Sequence, residues 1–189
     1  MWGGADFSFT PTGNATGNYT GAGRNRSTGT TQVLTTPTAE TTANVLTSVN
    51  GIVLVNNIPM SNVTGASIKI DGKVAGMGAV VGSNITPDIQ RGRIDVTGQI
   101  MAFDQDMVLP GYFDAATPVN IVVVIADSQA ANADFVSFST SYVILEGDTD
   151  DDGEKGLIRT YPFTSRINPN GGAALANDKT IVSVQDSLA

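Results

Sequence analysis

Polar and apolar residues alternate with a period of two across residues 93–103: Ile94, Val96, Ile100 and Ala102 share one face, and Arg93, Asp95, Thr97 and Gln99 the other. Successive side chains of a strand point to opposite faces, so the pattern predicts a half-buried antiparallel strand. Residues 119–126 read Val-Asn-Ile-Val-Val-Val-Ile-Ala, apolar on both faces, which predicts a strand that needs cover on each side. Between the two, Leu109, Tyr112 and Phe113 lie three to four apart, the spacing of an apolar stripe on a short helix over 107–115. These three elements predict a sheet with one helix plugging an end or a face.

The same pattern reading extends along the chain. Residues 5–11 alternate as a short strand with Phe7 and Phe9 on one face. Residues 12–31, rich in Gly, Asn, Thr and Ser, have almost nothing to bury and read as a long loop or extended arm. A brief strand is expected at 33–36 and a Thr-rich connection at 37–48. Strands are expected at 51–56, at 66–70 before the Asp71-Gly72 turn signal, and at 77–81. Residues 133–140 and 142–145 extend the sheet, an acidic loop comes next, and 156–167 form a long strand with Leu157, Tyr161 and Phe163 on one face. Pro162 tends to place that strand at an edge or bulge. A turn-rich connection at 168–177 and a last strand at 180–184 complete the chain. The expected division is an N-terminal strand and arm over 1–50 and a β domain over 51–189.

Composition narrows the chemistry. The chain has 189 residues, enough for one sizeable core, and only 15% of them are charged. With no cysteine and no histidine, disulfides, thiolate nucleophiles, Ser-His-Asp and Cys-His catalysis, and sulfur- or imidazole-based metal centres are excluded. An enzyme would have to run on carboxylates, Lys or Tyr, and no such constellation is visible. The formal charge of −8 argues against a protein that grips nucleic acid through its phosphates, though not against a surface that nucleic acid slides past. No apolar run reaches membrane-spanning length and the first residues lack a signal-peptide pattern, so the expectation is a chain made in a cytoplasm, with no membrane partner.

Four local patterns invite chemistry. Asp148-Thr-Asp-Asp-Asp-Gly153 matches the opening of a calcium-binding loop, making Asp148, Asp150 and Asp152 candidate ligands. The position that should carry a bidentate carboxylate is Arg159, and the residues around it read as a strand where a calcium loop would lead into a helix. A solvated acidic loop is therefore the better reading, and no metal or cofactor is expected. Gly76, Gly78 and Gly82 imitate a dinucleotide fingerprint but run into residues 83–87 instead of opening a helix. Sequons at Asn14, Asn18, Asn25, Asn62 and Asn84 are expected by chance in so Asn- and Thr-rich a chain. Asp104 and Asp106 are solvent-facing turn residues before they are an acid–base pair.

The order Gly92-Arg-Ile-Asp-Val-Thr-Gly-Gln-Ile-Met-Ala-Phe-Asp104, then Leu109-Pro-Gly-Tyr-Phe-Asp114, then residues 119–127 resembles the tail tube proteins of long-tailed bacteriophages. The likeness continues through 133–145, the acidic loop, Gly156-Leu-Ile-Arg-Thr-Tyr-Pro-Phe163 and Thr180-Ile-Val-Ser-Val-Gln-Asp186. It implies a mainly β fold, a tail-tube-type β-sandwich or barrel with one short flanking helix and long extended loops. It further implies a non-enzymatic virion protein, assembled in the host bacterial cytoplasm, whose copies form rings stacked into a hollow tube for DNA. The ring would be hexameric, or trimeric and pseudo-hexameric for a duplicated subunit, with tape measure and tail-end proteins as further partners.

On that reading the strands over 93–103, 119–126 and 156–167 join between neighbours into a lumen-lining sheet. Asp95, Thr97 and Gln99 are candidate lumen-facing residues of a negative wall that repels DNA at short range. Asp148, Asp150, Asp151, Asp152, Glu154, Arg24 and Arg26 are candidates for contact with the adjacent ring. The alternative is a β-sandwich adhesion or carbohydrate-binding module with weak calcium binding.

Overall fold

A computed structural model describes residues 1–25, 28–31, 36, 44–78, 80–83, 85–105, 107–153, 156–169 and 179–187. The expected strand at 33–36 and the connections at 37–48 and 168–177 fall largely outside these residues, as do Arg26, Asn84, Asp106 and Glu154.

The described residues form thirteen strands and one helix. In order they are β1 (Trp2–Phe9), β2 (Thr16–Gly21), β3 (Thr47–Val55), β4 (Ile58–Met60), β5 (Val63–Asp71), β6 (Val74–Gly76), β7 (Ile89–Arg91) and β8 (Asp95–Phe103). Then come α1 (Val108–Asp114), β9 (Val119–Ala126), β10 (Phe135–Leu145), β11 (Thr149–Gly153), β12 (Gly156–Ser165) and β13 (Ser183–Asp186). Eleven strands form one sheet in the order β2-β1-β5-β8-β12-β10-β9-β3-β4, with β11 added beside β12 and β13 beside β10. The sheet curls over so that Phe7 and Phe9 of β1 meet Phe138 of β10 at ring-centroid distances of 4.5 and 5.6 Å. The result is a mainly β, sandwich-like fold with one short helix.

From Asp95 onward the period-two alternation of β8 does what the sequence predicts, whereas Ile94, expected on the buried face, precedes the strand and is exposed. Val96, Ile100 and Ala102 are buried, while Thr97 is exposed and Asp95 and Gln99 are half-buried. Gly98 falls on the buried face, and its missing side chain matters: a Cβ there would run into the carbonyl of Ser67 and the ring of Phe163. Phe163 stands directly across from Gly98 on β12 and is itself buried, so the glycine is the floor on which that ring lies. The helix inserts Leu109 into the core and packs Tyr112 and Phe113 against it. Residues 119–126 form β9 with the expected bounds.

Four expectations are corrected. Residues 12–31 are not all loop: β2 forms there although all six of its residues are exposed, because it completes a ladder with β1 and Tyr19 stands edge-on to Phe7 at 5.7 Å. The described part of 77–81 is not strand; the sequence turns after β6, with Gly82 at φ 91°, and β6 pairs with β7 instead. The acidic loop is largely strand β11, held along the first half of β12. Pro162 is interior, since β12 has β8 on one side and β10 and β11 on the other. Its carbonyl accepts the Glu146 N–H at 2.8 Å, but proline has no N–H to return, and there the β10 ladder ends and the β11 ladder begins at Thr160.

Candidate assembly surface

One outward side of the curled sheet is a polar wall. Cross-strand pairing aligns Asn18, Asp6, Lys69, Thr97 and Thr164 in one row over β2, β1, β5, β8 and β12. The next row is Thr16, Ser8, Ser67, Gln99 and Pro162. Asp95, Thr97 and Gln99 therefore share one face, flanked by Asp71, Lys69 and Ser67 on β5 and by Thr164 and Pro162 on β12. Asp95 pairs with Lys73, a residue the sequence pattern did not single out, and the hydrogen bond and charge of Asp95 raise the lysine above its ordinary value. Lys73 reaches it from a tight turn at φ 44°, where its N–H donates to Asp71 Oδ1 at 2.8 Å; the Asp71-Gly72 turn signal was the clue available. Asp6, Asp71 and Asp95 share this wall with Lys69 and Lys73, so it carries charges of both signs.

A second cluster closes one end of the core. Arg159 projects from the buried face of β12 and meets three carboxylates: Asp148 at 2.9 Å, Asp104 at 3.1 Å and Asp150 at 3.1 Å. Burial pulls the guanidinium down, but Tyr161 and the charges of Asp148, Asp104 and Asp150 outweigh it and hold the group above its usual value. Burial, helped by the charge of Asp148, pushes the Tyr161 phenol up to about 12. Asp148 and Asp150 are thus paired with a cation from within the chain. Among the described residues no group of three or more acidic side chains is arranged to hold a metal ion. The residue that spoils the calcium pattern in the sequence is thus the one that organises its carboxylates. Asp151 lies in β11, opposite Ile158, and Asp152 opposite Leu157. Arg24 donates from Nε to the Thr86 carbonyl at 3.3 Å, so the single chain does not bring it to the acidic hairpin.

The other outward side of the sheet is apolar. Ile52 of β3 is exposed, and Leu54, Val122 and Val124 are half-buried beside it, with Ser137 and Ser139 completing the rows. Strands β8, β9 and β12 have neighbours on both sides, so they cannot be the strands that join copies edge to edge, as expected from the sequence. The margins of the sheet lie at β2 and β4, with β11 and β13 paired on one side each.

A strand-dominated chain with such margins matches the family model of the phage tail tube protein over residues 3–165. The chain belongs to that family. It is a structural protein of the phage tail, located in the virion, and the match covers every element from β1 to β12. No individual curated protein matches this tail tube protein. Among the described residues no helix is long and apolar enough to cross a membrane.

Proposed function

We propose that this tail tube protein assembles with copies of itself into closed rings, six-fold or three-fold and pseudo-six-fold, which stack into a hollow tube. Genomic DNA passes along that tube during ejection, and tape measure and tail-end proteins complete the tail, put together in the host cytoplasm. The observation that carries the reading is the polar wall of β1, β5, β8 and β12: two continuous rows of Ser, Thr and Gln side chains with Asp6, Lys69 and Pro162, and no aromatic or large aliphatic side chain in them. Placed on the bore, Asp95, Thr97 and Gln99 offer DNA neither a cationic trap nor an apolar one. The short Debye length of about 8 Å in physiological salt confines whatever field the paired charges leave to the wall itself. A ring needs contacts that return on themselves and a stack needs contacts that do not, so both kinds must lie on the remaining surface. We assign the connection between β11 and β12, with Asp152 and Glu154, together with Arg24 and Arg26, to contact between rings; Asp148 is held by Arg159, and the β11 edge that carries Asp150 and Asp151 is left for a neighbour in the same ring.

Negative-stain microscopy of the purified chain tests this directly. Cylinders or rings of constant width are expected; dispersed monomers at high protein concentration overturn it.

A further inference from the structure

The polar wall is one sheet with two unfinished margins, and they differ in character. At one margin β2 reads Thr-Gly-Asn-Tyr-Thr-Gly, uncharged, without proline, and among the described residues paired only with β1. At the other β11 carries Asp150, Asp151 and Asp152 and among the described residues is paired only with β12. We propose that β2 of one copy pairs antiparallel with β11 of the next, which rests on the ring reading above and names the junction that closes the ring.

Three features of the sheet support this pairing. Every ladder from β2 through β1, β5, β8 and β12 to β11 is antiparallel, so the two margins run in opposite directions and their union continues the pattern without a break. Charge selects the partner: two β11 strands pairing with each other would set aspartate against aspartate, which is destabilising, whereas β2 offers neutral residues. The third feature is geometric. Asn18 lies in the row of Thr164 and Asp151 in the row of Ile158, six residues earlier in β12, at the two ends of a six-strand span. Six residues at about 3.3 Å against six strands at about 4.8 Å require a strand tilt of roughly 35°, at the low end of the range found in closed barrels.

The hand of the tilt also fits. Seen from the polar side with β12 running upward, the Glu146–Pro162 bond puts β10 and β11 on the right and β2 on the far left. The offset then inclines the strands in the right-handed sense that strand twist favours. The offset is an even number of residues, so polar side chains stay on the polar face across the junction. It places Asn18 opposite Asp151, and Thr20 opposite Thr149, as pairs that do not exchange hydrogen bonds, while Tyr19 and Asp150 bond through their backbones.

The chain has no cysteine, so disulfide trapping is unambiguous. Antiparallel partners of this kind have Cα atoms about 4.5 Å apart, within disulfide range. In assembled protein, the double variant Asn18→Cys/Asp151→Cys is expected to give a reducible ladder of covalent oligomers under mild oxidation. The pair Thr20→Cys/Thr149→Cys serves as a second reporter if the first does not assemble. Tubes without a ladder from either pair overturn the junction and leave the tube reading intact. Covalent dimers from Asn18→Cys alone overturn it as well, because β2 then pairs with itself. Absence of rings and tubes from the unmodified chain overturns both readings.

Discussion

The two outward sides of this sheet are made from strands of opposite design. On the polar side, β8 gives every second residue to water: Asp95, Thr97 and Gln99 stand outside while Val96, Ile100 and Ala102 are buried. On the apolar side, β9 places Ile121, Val123 and Ile125 inside and still presents Val122 and Val124 outward, beside Ile52 and Leu54 of β3. An alternating strand can end its life facing solvent, whereas an apolar-both-faces strand cannot do so cheaply. The sequence argument that β9 needs cover on each side therefore holds for the inner face and leaves a demand on the outer one. The two sides thus differ in what they present: Asp95, Thr97 and Gln99 on one, Ile52, Leu54, Val122 and Val124 on the other.

The largest way to break this contrast is to remove what holds the polar wall flat. Phe163→Ala should destabilise the fold by about 4 kcal/mol, because it opens a void over Gly98, where no side chain can collapse inward. Gly98→Val should cost about 3 kcal/mol from the opposite direction, by forcing a side chain into the Ser67 carbonyl and the Phe163 ring. Urea denaturation followed by tryptophan fluorescence, with Trp2 as the sole reporter, measures both. Near-native midpoints for the two variants would show that the ring does not rest on the glycine.

The end of the core beneath the wall can be probed by pH. Tyr161 has its phenol raised from 10.0 to about 12, so the folded state keeps the proton that the unfolded chain gives up. Its contribution is complete below pH 10 and is lost as pH rises through about 12. Thermal stability should fall over that window, and Tyr161→Phe should flatten the fall. A decline of the same steepness in the variant would place the alkaline sensitivity elsewhere. Removing the counter-charge with Arg159→Ala leaves Asp104, Asp148 and Asp150 together without a cation, and should lower the melting temperature most at low ionic strength.

The smallest effects sharpen the comparison itself. In the dispersed chain Val124→Thr should cost about 1 kcal/mol, since it is only half-buried, and Thr97→Ala should stay within about 0.5 kcal/mol. In assembled protein the first should weaken association and the second should not, as read by sedimentation. Equal effects of the two on assembly would erase the distinction between the sides.

Much of the fold was legible in the residues themselves. Alternation located β8, the all-apolar run gave β9 its bounds, and the Leu109, Tyr112 and Phe113 spacing found the helix, because in each case burial on one face or both is written directly into the order of side chains. Strands β2 and β11 were not legible. Neither has a core face to declare itself, and each forms because a neighbouring strand offers an edge to complete: β1 for β2, and the stretch of β12 before Pro162 for β11. The proline misled for the same reason, since it marks where one partner replaces another rather than a free margin. Among the surface residues, Asp95, Thr97 and Gln99 were read correctly as one face because the pleat fixes it. The roles of Lys73 and Arg159 depend on turns and ladders that bring sequence-distant carboxylates to them. Only the departure of Arg159 from the calcium pattern hinted at its place.

Helical reconstruction of the assembled tube is the most direct measurement of the central claim. It should show β1, β5, β8 and β12 around the bore with Asp95, Thr97 and Gln99 directed into it. A tube whose bore is lined by Ile52, Leu54, Val122 and Val124, with the polar rows on its outer surface, would contradict it.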